Sequence, residues 1–167
     1  HERTLVAPLR ARADVVFDTS NLAPGELKRV LSAHFGEAAV QKLLVFVTSF
    51  AYREGLPREA DLVFDVRFLG NPHYVPDLKP LSGRDPGVAD FIAADPVFAD
   101  FFRSLTGLLA PLLPRFAAEG KSYLTIAVGC TGGRHRSVFV AERLASWLAG
   151  QDVRVELRHR ELQAAGT

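Results

Sequence analysis

Leu124-Thr125-Ile126-Ala127-Val128-Gly129-Cys130-Thr131-Gly132-Gly133-Arg134-His135-Arg136-Ser137 begins as an apolar, β-branched run and ends in a glycine turn with basic residues. The pattern predicts a buried strand over 123–128, a tight turn over 129–133 and a helix over 135–149. A strand, a glycine turn and a helix in that order form the repeating unit of parallel sheets. Working outward, Val153–Leu157 reads as a last strand, Leu62–Phe68 and Leu43–Thr48 as earlier ones, and Ala13–Phe17 as the first. The expected class is α/β, a mainly parallel sheet with helices on both faces.

Between the strands, Asp18-Thr19-Ser20-Asn21 supplies capping side chains, and Pro24 opens a helix predicted to run to about Phe35. Residues 70–87 contain Pro72, Pro76, Pro80, Pro86 and Gly83, so regular structure is not expected there, and long irregular loops in compact domains often carry function. Two helices are predicted over 86–94 and 96–118. The second would carry Phe98, Phe101, Phe102, Leu105, Leu108 and Leu109 on one face, as core or as a partner interface.

Hydrophobic residues make up 48% of the 167 and charged residues 23%, a balance that buries enough apolar surface to fold. The net charge of +1 gives no global attraction to nucleic acid or anionic lipid, so any basic surface must be local. Cys130 is the only cysteine, which precludes an internal disulfide and fits a reducing, cytoplasmic setting. No apolar run approaches the roughly 20 residues of a bilayer span, and no membrane partner is expected. The start at His1 and the lack of Met suggest a piece of a longer protein.

The glycine turn carries the chemistry. Glycines let backbone N–H groups converge, a helix N-terminus adds partial positive charge, and Arg136 can fork onto two phosphate oxygens. The plain alternative is a tight connection, but Arg134, His135 and Arg136 beside it favour an anion site over Gly129, Cys130, Thr131, Gly132, Gly133, Arg134, His135, Arg136 and Ser137. The span also satisfies Cys-x5-Arg-Ser, the pattern of protein tyrosine phosphatases. The rival reading is therefore a phosphatase with Cys130 as nucleophile, Arg136 as phosphate clamp and Asp77 or Asp85 as general acid. Where that family places His before the cysteine, this chain has Gly129, and a buried cysteine can be a small apolar packer. No His, Cys or carboxylate grouping has metal-ligand spacing.

Val128-Gly129-Cys130-Thr131-Gly132-Gly133-Arg134-His135-Arg136-Ser137-Val138 resembles the signature of the RapZ (YvcJ) family of RNase adapters. Ser49-Phe50, Gly55-Leu56-Pro57, Phe64-Asp65-Val66-Arg67-Phe68-Leu69, Asn71-Pro72-His73 and Arg158-His159-Arg160 resemble further family blocks in the same order. The resemblance implies an N-terminal P-loop nucleotide-binding domain followed by a C-terminal domain with a phosphofructokinase-like α/β fold. Residues 1–40 look like the tail of the P-loop domain and 41–167 like the C-terminal ligand- and RNA-binding domain. Gly-x4-Gly-Lys-Ser/Thr is absent, so ATP or GTP is expected only in the missing domain, and enzyme activity is not expected here.

The same resemblance implies sensing of glucosamine-6-phosphate and presentation of a small RNA to RNase E. Thr131, Gly132, Arg136 and His73 match family positions in the sugar-phosphate pocket. Asp65 and Arg67, at the C-terminal end of a predicted strand, are placed beside the ligand or in a structural ion pair with each other. Lys121, Arg154, Arg158 and Arg160 belong to a local basic surplus and are the RNA-binding candidates. The phenylalanine-rich face over 98–109 is the candidate for homo-oligomer formation.

Overall fold

The computed structural model describes residues 12–20, 22, 26, 27, 30, 31 and 42–163. Two compact units divide the chain at residues 39 and 40. In the first unit, residues 26, 27, 30 and 31 are helical, and the rest of the helix predicted to Phe35 lies outside the described residues. Ala13–Phe17 is not a strand. Val16 is 52% exposed, whereas a central parallel strand would bury it, and just beyond it the Asp18 carboxylate accepts the Ser20 N–H at 3.0 Å in a local turn.

The second unit is built on four parallel strands, β1 (Leu44–Ala51), β2 (Leu62–Asp65), β3 (Tyr123–Cys130) and β4 (Arg154–His159), in the order β2-β3-β1-β4. The α/β, parallel architecture expected from the alternating pattern is therefore present. Helices α1 (Pro86–Ala93), α2 (Phe98–Ala118) and α3 (Arg136–Ala149) connect the strands, and α4 (Arg160–Gln163) follows β4. β2 ends at Asp65, short of the predicted Phe68, because the chain turns over Arg67 and Phe68. Asp65 caps that turn by accepting the Arg67 N–H at 2.9 Å.

Side chains alternate across a strand, and the alternation locates the core. Val45 and Val47 of β1 stand in register with Leu124 and Ile126 of β3 and with Val155 and Leu157 of β4. All six belong to one apolar cluster with Val140, Ala141, Leu144 and Leu148 of α3. On α2 the buried positions are Phe98, Leu105, Leu109 and Leu113, a helical stripe with steps of seven, four and four residues. The predicted face is thus mainly core, with one correction: Leu108 is 52% exposed, since it falls a quarter-turn off that stripe. Among the described residues, no single helix is long and apolar enough to cross a membrane.

Candidate functional site

Strand polarity brings the connections after β1, β2 and β3 to one end of the sheet. The C-terminal ends of β1 and β3, the loop after β2 and the first turn of α3 enclose an open cleft of about 750 Å³. It is lined by Arg53, Asn71, His73, Tyr74, Lys79, Pro80, Cys130, Thr131, Gly132, Arg134, His135 and Arg136. Ligands of open α/β sheets bind at this end of the strands. Among the described residues no Asp or Glu lines the cleft, while Arg53, Lys79, Arg134 and Arg136 do. That charge arrangement attracts anions.

β3 runs two residues further than predicted, to Cys130, so the turn proper begins at Thr131. It closes at Gly133, whose φ of 65° is the left-handed conformation that suits glycine. A β-carbon there would also overlap the Glu161 carboxylate and the Ala51 amide nitrogen. α3 then starts at Arg136, so the unpaired N–H groups of its first turn and its positive dipole end adjoin the cleft.

Arg136 is 5% exposed and, among the described residues, has no carboxylate partner. Its Nη1 donates to the carbonyl oxygens of Arg67 at 2.8 Å and Leu69 at 3.1 Å. Its Nη2 reaches Thr131 Oγ1 at 3.4 Å, and its buried Nε has no hydrogen-bond partner. An unpaired donor on a buried guanidinium is costly unless something occupies it. With Nη1 held by two carbonyls, Nη2 and Nε are the donors not committed to backbone oxygens.

The other two basic residues of the turn do a different job. Arg134 donates through Nε to the Leu81 carbonyl at 2.9 Å and through Nη2 to the Pro80 carbonyl. His135 Nε2 donates to the Lys79 carbonyl at 3.2 Å. Burial, more than any neighbour, pushes the His135 imidazole below its ordinary pKa, which keeps it neutral in this role. The Gly83 N–H donates to the Arg134 carbonyl at 2.9 Å, and a β-carbon on Gly83 would collide with the His135 carbonyl and the Phe139 amide. The proline-rich loop is thus sewn onto the turn and forms the cleft's second wall.

Several predicted site residues stand outside the cleft wall. Gly129 packs beneath the rings of Phe50 and Tyr52, and Gly133 faces Glu161. Ser137 is fully buried, with Oγ 3.1 Å from Cys130 Sγ. Asp65 and Arg67 form a bidentate ion pair, Nε and Nη2 to Oδ2 at 2.9 and 2.6 Å, with the Arg67 guanidinium 4.0 Å over the Tyr52 ring. The Arg67 hydrogen bond holds the Asp65 carboxyl below its usual range. This is the ion-pair alternative read from the sequence. Asp77 and Asp85 also lie off the cleft, and Asp85 accepts from Ser82 N at 2.7 Å and Ser82 Oγ at 2.8 Å. Without an acid facing Cys130, the phosphatase reading is not favoured.

The RNA candidates do not form one patch. Lys121 and Arg154 lie at the N-terminal end of the sheet, opposite the cleft. Lys121 is bound to Asp61 at 2.7 Å. Arg160 donates to the carbonyls of Gly55 at 3.2 Å and Glu54 at 2.9 Å, so its fork is engaged in fastening the chain after β1. Arg154 and Arg158 alternate with half-buried Val155 and Leu157 and are exposed.

Sequence reasoning missed Arg53, Asn71, Tyr74, Lys79 and Pro80 as cleft residues. Arg53 follows β1 by two positions, where strand polarity could have found it. The other four lie in the 70–87 loop that the sequence marked as a whole. A buried network was missed as well: Ser49 Oγ is 2.8 Å from His159 Nδ1, His159 Nε2 is 3.0 Å from Glu142 Oε1, and Arg84 Nε donates to the same oxygen at 2.7 Å. Burial lowers the His159 pKa despite Glu142.

The family model described as RapZ C-terminal domain matches residues 43–163. A nucleotide-binding protein of Paramagnetospirillum magneticum is 70% identical over the whole chain, which covers 55% of that protein. One of Rhodospirillum centenum is 63% identical over 96% of the chain and 48% of its own length. One of Rhodospirillum rubrum is 57% identical over 97% of the chain and 51% of its own length. The chain thus spans about half the length of the curated relatives it matches.

Proposed function

The chain belongs to the RapZ C-terminal domain family, and from that premise we propose that it is a regulatory domain that binds a phosphorylated metabolite in the cleft. Thr131, Gly132 and Arg136 hold the phosphate, with Cys130 beneath it, while His73, Lys79 and Arg53 face the remainder of the ligand. The ligand is the one the family resemblance implied, glucosamine-6-phosphate. Occupancy biases the contacts of the whole protein with a small RNA and an RNase. The observation that carries this reading is Arg136, a guanidinium buried in a cleft with no acidic lining and left with one unpaired donor. Binding and presentation require no covalent chemistry.

Residues 1–40 belong, on this reading, with a P-loop domain. The nucleotide binding in the relatives' name resides in the part of those proteins that this chain does not cover. RNA contact falls to the exposed Arg154, because Lys121 and Arg160 are engaged elsewhere.

Calorimetric titration of the chain with glucosamine-6-phosphate, inorganic phosphate and unphosphorylated glucosamine tests the reading. The sugar phosphate should bind more tightly than phosphate, and glucosamine should not bind. A Lys79→Ala variant, altered at an exposed position, should weaken the sugar phosphate while leaving the fold intact. Equal binding of every anion, or none, would sink the sensor.

A further inference from the structure

The only cysteine of the chain sits on the wall of the cleft, at the end of β3. Its Sγ lies 3.1 Å from the Ser137 hydroxyl, and the same cleft holds the buried, unpartnered Nε of Arg136. We propose that Cys130 is an oxidation site whose sulfenate product occupies the anion cradle, so that a hydroperoxide and a phosphate ligand exclude each other. This rests on the reading of the cleft as a phosphate site.

The chemistry balances with hydrogen peroxide as oxidant. The thiol sulfur attacks one peroxide oxygen; the S–O bond forms as the O–O bond breaks. Sulfur gives up two electrons, and the departing oxygen takes the thiol proton and leaves as water. Ionised, the new S–O group brings a negative charge into the cleft that Arg136 also lines, where a phosphate would sit. At 3% exposure, Cys130 admits a small oxidant through the cleft rather than a bulky one. With no second cysteine in the chain, the product cannot close an internal disulfide, and its reversal needs an external thiol.

The test uses the full 167-residue chain, treated with hydrogen peroxide and dimedone and read by intact mass, with Cys130→Ser as the blank. Phosphate affinity is measured separately by calorimetry. One adduct should form on the folded chain. Inorganic phosphate at about ten times its Kd should slow labelling roughly tenfold, because only the unoccupied fraction reacts. No adduct on the folded chain, or labelling undiminished by bound phosphate, would overturn the oxidation proposal alone. Failure of phosphate to bind at all would overturn the anion site itself, and the exclusion with it.

Discussion

Arg136 Nη1 lies 2.8 Å from the carbonyl oxygen of Arg67, so one guanidinium both walls the cleft and anchors the turn that leaves β2. Arg136→Lys keeps the charge but loses the fork. A lysine cannot serve the Arg67 and Leu69 carbonyls and a ligand together. Buried hydrogen bonds to a charged group are worth about 1.5–3 kcal/mol, so phosphate affinity should fall roughly tenfold to hundredfold and stability in urea should drop by a similar free energy. Unchanged phosphate binding by calorimetry would remove Arg136 from the site.

Gly83 touches the backbone of 135–139 directly, and Gly107 on α2 has open space around its missing side chain. Gly83→Ala should push the loop off the turn and destabilise by about 1–3 kcal/mol, the usual range for overpacking. Gly107→Ala should stabilise by roughly 0.5–1 kcal/mol, because alanine is the better helix former. Denaturant midpoints measure both, and only Gly83→Ala should also weaken anion binding.

Acid should weaken the fold first through histidines. Burial holds His159 and His135 below the ordinary value of 6.5, so between those depressed values and 6.5 the unfolded chain binds more protons than the folded one. Their neutral forms stabilise fully above 6.5, and that contribution is lost as pH falls through the window below it. Burial opposes ionisation of Glu142, yet hydrogen bonds from His159 and Arg84 prevail and hold it below its ordinary 4.5. Its contribution is present above 4.5 and is lost at still lower pH. Melting temperature should therefore fall in two stages from pH 8 to 3.5, and His135→Asn should flatten the upper stage. A flat profile between pH 7.5 and 5.5 would contradict the buried, neutral histidines.

Lys121 and Asp61 are joined at 2.7 Å, and the same carboxylate accepts the Thr125 N–H at 2.8 Å. Lys121→Ala should change stability by less than about 1 kcal/mol, as for half-exposed pairs. Asp61→Ala should cost more, because it leaves a strand amide unpaired. In fluorescence titrations with a single-stranded RNA, Arg154→Ala should reduce the salt slope by about 0.7 for one lost phosphate contact, and Lys121→Ala should not alter it. Equal effects would return Lys121 to the RNA surface.

The four strands of the sheet were legible because their signals are local. Val45, Val47, Leu124 and Ile126 announce buried strands by composition, and the 98-101-102-105-108-109 pattern announces one face of a helix. Ala13–Phe17 had the same composition without becoming a strand. Composition reports that a segment suits a ladder, and only the rest of the chain supplies the partner.

Within the candidate site, the sequence by itself determined the glycine turn, its position between β3 and α3, and the basic residues within it, since these follow from backbone preferences and near neighbours. Tertiary structure alone decided what those residues touch. Arg134 and His135 bind the loop more than fifty positions away, Arg136 binds carbonyls 67 and 69 positions away, and Asp65 turns to Arg67, whose guanidinium lies over Tyr52, instead of to the cleft. The physical reason is that a guanidinium or imidazole finds whichever acceptors the strand order brings within 3 Å, and strand order is set by burying the whole core.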